Sequence, residues 1–310
     1  MKNKLLTNKL IVAIIAMFCC ALWGSAFPCI KIGYEMFGIA DSDTATQILF
    51  AGLRFALAGL MVIAFGSIIE RKVLVPVKKE YSKVVILSLF QTIYQYVFFY
   101  IGLAHTSGVK ASIIIGSNVF IAIIAACFIF KQERITVNKL MGSIIGFLGV
   151  IIINVAGVEV SMDFSLSGEG FIFFAATAYA ISSALIKKYS VTSNTIMLSG
   201  YQFLFGGIVM SVIGMLFGGH IGVVNVEQFG MLAYLAMISA VAYSLWTILL
   251  KYNSVSKVSV YGFMNPVWGV ILSTLLLDEG KGVFSISSFV ALVLVCVGIV
   301  VVNLNKDTSC

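Results

Sequence analysis

The chain has 310 residues, of which 60% are hydrophobic and 11% charged, with a formal net charge of +7 and a mean hydropathy of +1.07. This composition excludes an ordinary soluble domain, and three prolines with no polar tract leave no room for a disordered tail or a water-soluble second domain. In a membrane chain an excess of basic residues reports orientation, not a nucleic-acid partner.

Apolar runs approaching the roughly 20 residues that a helix needs to cross a bilayer recur ten times. They cover about 10–30, 46–69, 84–104, 110–130 and 137–157, then 168–187, 194–219, 229–250, 256–277 and 285–304. The first follows Lys2, Lys4 and Lys9 and has the outline of a signal peptide. It continues through Phe27, however, and has a counterpart in the second half, so it is expected to remain as the first span. Only the connection 70–83, ERKVLVPVKKEYSK, is longer than a turn, and it is expected along the membrane interface.

The ninth span, from Val258 to Leu277, carries Asn265 and Pro266 in its middle. Proline removes a backbone donor and pushes away the carbonyl one turn earlier. In hydrocarbon such a break survives where it faces protein or a water-filled cavity. Asn265 is therefore a candidate substrate ligand and Pro266 a candidate hinge.

Positive loops stay cytoplasmic. With the N-terminus inside, sixteen of the lysines and arginines fall on the inner side. Lys31, Lys110 and Lys281 fall outside, and Arg54 lies within a span. The acidic loops Asp41–Asp43 and Glu159–Asp163 also fall outside. The expectation is an all-α, multi-pass protein of the plasma membrane with ten transmembrane helices and both termini cytoplasmic.

The two halves echo each other. Ser107, Lys110, Ser112 and Asn118 match Ser254, Lys257, Ser259 and Asn265, each 147 residues on. Gly52, Phe55, Gly59 and Gly66 return as Gly200, Phe203, Gly207 and Gly214 at an offset of 148, and Gly149-Val-Ile-Ile-Ile-Asn154 returns as Gly298-Ile-Val-Val-Val-Asn303 at 149. Trp23 and Lys31 recur in kind as Tyr179 and Lys187. Four stretches in one order at nearly constant offset indicate a tandem duplication, with units 1–157 and 158–310. Five spans per unit is an odd number, so the copies run in opposite directions. Inverted repeats of this kind let one half rock against the other around a midplane site.

The chain resembles the EamA-type branch of the drug/metabolite transporter superfamily over nearly its whole length. The resemblance rests on ALWGSAF with Lys31 in the first span, LRFALAG in the second, and YIGLAHTS leading into the fourth. Glu133 and Glu279 after the fourth and ninth spans, and GVIIIN and GIVVVN closing each half, fit as well. It implies a ten-helix protein of two five-helix repeats that exports small metabolites, often amino acids. Many relatives carry a proline in the fourth span where this chain has Ser117-Asn118-Val119, which implies a milder break there.

Arg54 is the one full charge well inside a span, a placement that is costly and often marks a pathway. It reads either as a clamp for a substrate carboxylate or as an arginine that snorkels outward or ties to a neighbouring carbonyl. Its repeat partner is the uncharged Gln202. Asn118 and Asn265 can donate and accept at once, toward a polar metabolite or toward a neighbouring helix. Trp23, Tyr96, Tyr179, Tyr243 and Trp246 lie away from the span ends, where belt aromatics would sit. Tyr243 shares a helix face with Trp246 and Thr247, and Tyr179 with Ser182 and Ser183. The third span offers two polar faces, Gln91–Tyr94–Gln95 and Tyr96–Tyr100, and the echo of Tyr96 in Tyr243 favours the second. These aromatics read as packing or as part of a ligand box.

Glu133 and Glu279 read as interfacial anchors pairing with nearby bases such as Arg134 or Lys281, with a gating role as the alternative. Gly142 and Gly146 form a GxxxG that serves close packing within the monomer or the seam of a homodimer. No acid sits mid-span, so a proton relay has no obvious carrier. Walker, HExxH and GxSxG motifs are absent, which disfavours direct ATP coupling, a metalloprotease and a serine hydrolase. The cysteines form no CxxC pair, and neither a disulfide, a metal nor a cofactor is expected. The sequence is read as a secondary-type transporter of amino acids or related small polar metabolites, working by alternating access in a lipid bilayer. The rivals are a drug or nucleotide-type exporter of the same fold and a membrane enzyme acting on a lipid-linked substrate.

Overall fold

The computed structural model describes residues 5–106, 108–155, 164–277 and 286–304. Lys2, Lys4, Ser107, the loop Glu159–Asp163, Glu279, Lys281 and Lys306 lie outside the described residues. Among the described residues the regular elements are all helical. They are α1 Lys9–Phe37, α2 Thr44–Glu70, α3 Lys78–Leu103, α4 Lys110–Ile129, α5 Val137–Val155, α6 Leu166–Tyr189, α7 Thr195–Leu216 and α8 Val226–Tyr252. There follow α9 Val255–Ser259, a 3-10 turn Val260–Phe263, α10 Met264–Leu277 and α11 Ile286–Asn303. Nine of the described helices, α1 to α8 and α11, are long and apolar enough to cross a membrane.

Short polar side chains start the helices, as backbone N–H groups without partners require. Asn8 Oδ1 accepts from Leu10 and Ile11 N, Asn194 Oδ1 from Ile196 and Met197 N, and Asp43 Oδ1 from Thr46 N. Gly38 closes α1 in the left-handed conformation at φ 65°, where glycine carries no Cβ penalty.

Two helix pairs pack backbone to backbone. Of the glycines seven residues apart on α2, Gly52 faces Gly207 and Gly59 faces Gly200 on α7, while Gly66 meets Ile196 and Gly214 of α7 meets Leu49. A methyl on Gly207 would lie 2.2 Å from Ala56 N, and one on Gly59 2.4 Å from Leu204 N. On α5, a methyl on Gly142 would lie 2.7 Å from Gly298 O of α11. Van der Waals contact between small residues is the force available where lipid is as apolar as the helix. The GxxxG of α5 is thus used inside the chain, because Gly146 faces Phe263. The remaining helices exchange partners: α1 packs on α8 and α10, and α6 packs on α3 and α4.

The break in the ninth span lies elsewhere than expected. The chain turns at Val260–Phe263, and Pro266 is the third residue of α10. A first-turn N–H has no intrahelical partner, so proline there removes nothing and helps begin α10. In α4 the helix is interrupted at the single residue Ser117, whose hydroxyl donates to Ile114 O at 2.6 Å, a milder interruption than the four-residue turn before α10. The connection 71–77 is irregular and alternates, with Leu74 buried and Val73, Val75 and Val77 exposed.

Candidate substrate site

An aromatic column runs through the middle of the helices. Trp23 of α1 meets Tyr243 and Trp246 of α8 edge-on, each with ring centroids 5.0 Å apart. The hydroxyls of Tyr243 and of Tyr96 on α3 are hydrogen-bonded at 2.8 Å. Phe203 of α7 stands edge-on to Tyr243 at 4.9 Å and stacks on Phe55 of α2 at 5.4 Å. Phe55 packs on Tyr96 at 4.4 Å. Arg54 Cζ lies 4.4 Å from the Phe55 centroid and 5.9 Å from that of Tyr96, a cation–π arrangement. Tyr179, half-buried, packs against the same cluster. Tyr96 with Tyr243, and Phe55 with Phe203, are residues paired by the echo in the sequence, and each pair is in contact.

Of the two polar faces of α3, the one bearing Tyr96 and Tyr100 points into the column, and of the other Gln91 is buried as well. Tyr94 is 44% exposed and lines a shallow apolar groove on the outer surface with Phe90, Phe98 and Phe174.

Several polar atoms in this region are buried without a partner: Trp23 Nε1, Tyr34 Oη, Arg54 Nε, Gln95 Oε1, Gln202 Nε2, Trp246 Nε1, Asn265 Oδ1 and Trp268 Nε1. A buried polar group left unpaired costs about 1–3 kcal/mol, so native proteins rarely concentrate them without a use. Arg54 is 4% exposed, so it does not snorkel, and among the described residues no carbonyl accepts from it. Gln202 is fully enclosed, and its Oε1 is committed to Thr92 Oγ1 at 2.7 Å, while the Ser88 hydroxyl donates to its carbonyl at 2.9 Å. The hydroxyls of Ser182 and Ser183 donate to the Tyr179 carbonyl at 2.7 and 3.2 Å and are occupied by backbone.

Asn118 and Asn265 are both half-buried, at the interruption of α4 and in the first turn of α10. Their neighbourhoods meet: a methyl on Gly262 would lie 4.0 Å from Val119 Cγ2. Trp268, one turn beyond Asn265, was not anticipated. Its spacing of three from the asparagine is the signal that would have found it. Tyr34 carries no such signal, whereas Gln95 and Tyr100 stand on the polar faces of the third span.

Glu133 lies past the end of α4 and pairs with a base as expected, but it is buried and the base is a different one. It is 5% exposed, and its Oε2 accepts from Lys139 Nζ at 2.6 Å and from the Ser256 hydroxyl, while its Oε1 accepts from Ser256 N at 3.1 Å. The nearby base expected for it was Arg134. Here the Arg134 carbonyl accepts a second bond from Lys139 at 2.8 Å. Close by, Lys187 Nζ donates to the carbonyls of Lys251 and Asn253 at the end of α8, where a cation suits the helix dipole. These contacts fasten α4 and α6 to α8 and α9 at one end of the molecule. At the opposite end the ties among the described residues run between helices already packed together: Gln228 Nε2 to Met36 O joins α8 to α1, and Lys110 and Thr106 meet Glu169 of α6. Packing between α4 and the broken span is concentrated at the fastened end, where Asn118–Ile124 meets α9 and the 3-10 turn. Among the described residues no three His, Cys, Asp or Glu side chains are placed to hold a metal.

The model of the EamA-like transporter family matches residues 10–155 and again 166–304. The chain belongs to the EamA-like transporter family. Its relatives include an uncharacterized transporter of Archaeoglobus fulgidus, 28% identical over 83% of this chain and 87% of the relative. A WAT1-related chloroplastic protein of Arabidopsis thaliana is 27% identical over 93% and 68%. The uncharacterized inner membrane transporter YedA of Escherichia coli is 23% identical over 92% and 88%. A solved crystal structure superposes with a TM-score of 0.75 over 94% of this chain and 96% of that one at 16% identity, which speaks to the fold alone. An EamA-family chain with nine apolar helices among its described residues is a multi-pass membrane protein.

Proposed function

We propose that this EamA-family protein is a secondary-type transporter of the plasma membrane that exports amino acids or related small polar metabolites by alternating access. In this reading α9 and α10 together make one crossing, so that ten helices form two inverted units, 1–157 and 158–310, with both termini cytoplasmic. The observation that carries the reading is the matched exchange of partners. Helix α1 of the first unit packs on α8 and α10 of the second, and α6 of the second packs on α3 and α4 of the first. Between these two groups lies the column with its unpaired polar atoms.

Rocking the groups about the α2–α7 and α5–α11 seams would open the site to one side at a time. The fastened end, at Glu133, is then cytoplasmic, and the conformation faces outward. Efflux of a labelled amino acid from loaded proteoliposomes, stimulated by external substrate, tests the reading. Vesicles that release the probe at the protein-free rate for every amino acid and small polar metabolite tried would refute it.

A further inference from the structure

We infer that Arg54 is a carboxylate-binding residue and that the transported molecules carry an ionised carboxylate. This rests on the transport reading and names the substrate class for the same site. Arginine keeps its charge under all ordinary conditions, and a buried charge persists only where something compensates it. Arg54 is 4% exposed, and the Phe55 and Tyr96 rings compensate it only in part. The other buried charges have partners: Lys139 with Glu133, Glu169 with Lys110 and Thr106, and Glu80 with the Val77 N–H. Arg54 makes no ion pair with a described residue, and its Nε has no acceptor.

The unpaired atoms along the aromatic column, which runs from Tyr96 beside Arg54 through Tyr243 to Trp23 and Trp246, and on α10 packed against α1, point the same way. Trp23, Trp246 and Trp268 each present an indole N–H, and Gln202 an amide N–H, against two unpaired acceptors, Gln95 Oε1 and Asn265 Oδ1. A site with surplus donors and a free cation is completed by an acceptor-only group, and a carboxylate matches the guanidinium fork two bonds at a time. A cationic drug would find no acid at this depth among the described residues, since Glu80, Glu133 and Glu169 all sit near helix ends and are engaged.

The three tryptophans of the chain are the three with unpaired indole nitrogens, so tryptophan emission reports occupancy. The test titrates the purified full chain with leucine, N-acetylleucine and succinate, and separately with their carboxamides. Saturable emission changes are expected for at least one acid, with its amide binding roughly ten- to a hundred-fold more weakly. Arg54→Gln should bring acid and amide level, and Arg54→Lys should retain part of the preference, because the charge remains and the fork does not. Should Arg54→Gln not fold by thermal unfolding, Arg54→Lys decides, and an undiminished preference there overturns the assignment. It is likewise overturned if amides bind as tightly as acids, if Arg54→Gln keeps the preference, or if no acid saturates. Label distances across the Glu133 end read the transport reading separately. Exchange between two distances with no acid preference sinks the carboxylate assignment alone, whereas acid binding with one fixed distance sinks transport and leaves the anion site standing.

Discussion

In Ser256→Ala the Glu133 carboxylate loses one of the two donors it receives from α9. It keeps the backbone N–H of residue 256 at 3.1 Å and the Lys139 ammonium at 2.6 Å. No charge is left unpaired, so the variant should fold. A hydrogen bond to an ionised group contributes about 1.5–3 kcal/mol. Because this one joins helix groups that separate when the fastened end opens, its loss should shift the equilibrium roughly ten- to a hundred-fold toward the state open at that end. Glu133→Gln is the less informative change, since it strands Lys139, whose side chain is 9% exposed, at a cost of about 3–5 kcal/mol. Labels at Lys131 and Lys251, flanking the fastened end on a cysteine-free background, read the outcome. The parent should show one dominant distance and Ser256→Ala a second, longer one. An unchanged distribution in Ser256→Ala, with wild-type transport, would refute the latch.

Gly207→Ala should lower the thermal midpoint, because the added methyl meets the Ala56 backbone nitrogen at 2.2 Å, which no side-chain rotation relieves. Overpacking of this kind costs about 1–3 kcal/mol or more, and Gly230→Ala, with open space around it, is the control that should melt like the parent. Asn265→Ala should weaken substrate binding roughly two- to tenfold, the worth of one neutral hydrogen bond, and Asn118→Ala should behave alike. Pro266→Ala should leave binding and the thermal midpoint nearly unchanged, and a large loss in that variant would show that the hinge is the proline after all.

The glycine ladders were legible because a seven-residue spacing repeated at an offset of 148 is visible in one dimension, and only its meaning, an α2–α7 seam, needed three. The aromatic column was legible for a similar reason. Aromatics far from span ends, on faces fixed by helical spacing, converge when the helices do. The partners of Glu133 were not. Sequence proximity suggested Arg134, whereas the bonds go to Lys139, six residues on, and to Ser256, 123 residues away, a pairing set by how the fourth and ninth spans cross. Pro266 misled because proline marks a break without fixing its side. A helix can end before it or start with it, and here the turn Val260–Phe263 closes first. Gln202 was matched to Arg54 by register, yet Thr92 takes its oxygen, which register alone does not foretell.

The placement of Lys139 explains how a buried acid can serve in a latch that must open. Lys139 and Glu133 lie on the same stretch of chain, and Lys139 also donates to the Arg134 carbonyl, so the ion pair stays whole when α9 leaves. Breaking a buried pair by taking away one charge costs about 3–5 kcal/mol, and separation at this end avoids it. What must be broken across the gap are the two bonds from Ser256, about 3–6 kcal/mol together at the worth of bonds to a charged group. Moving a two-state equilibrium from one extreme to the other takes about 5.5 kcal/mol. The latch is thus of the right strength to bias the chain toward one face, and weak enough for a bound ligand with comparable differential affinity to release it.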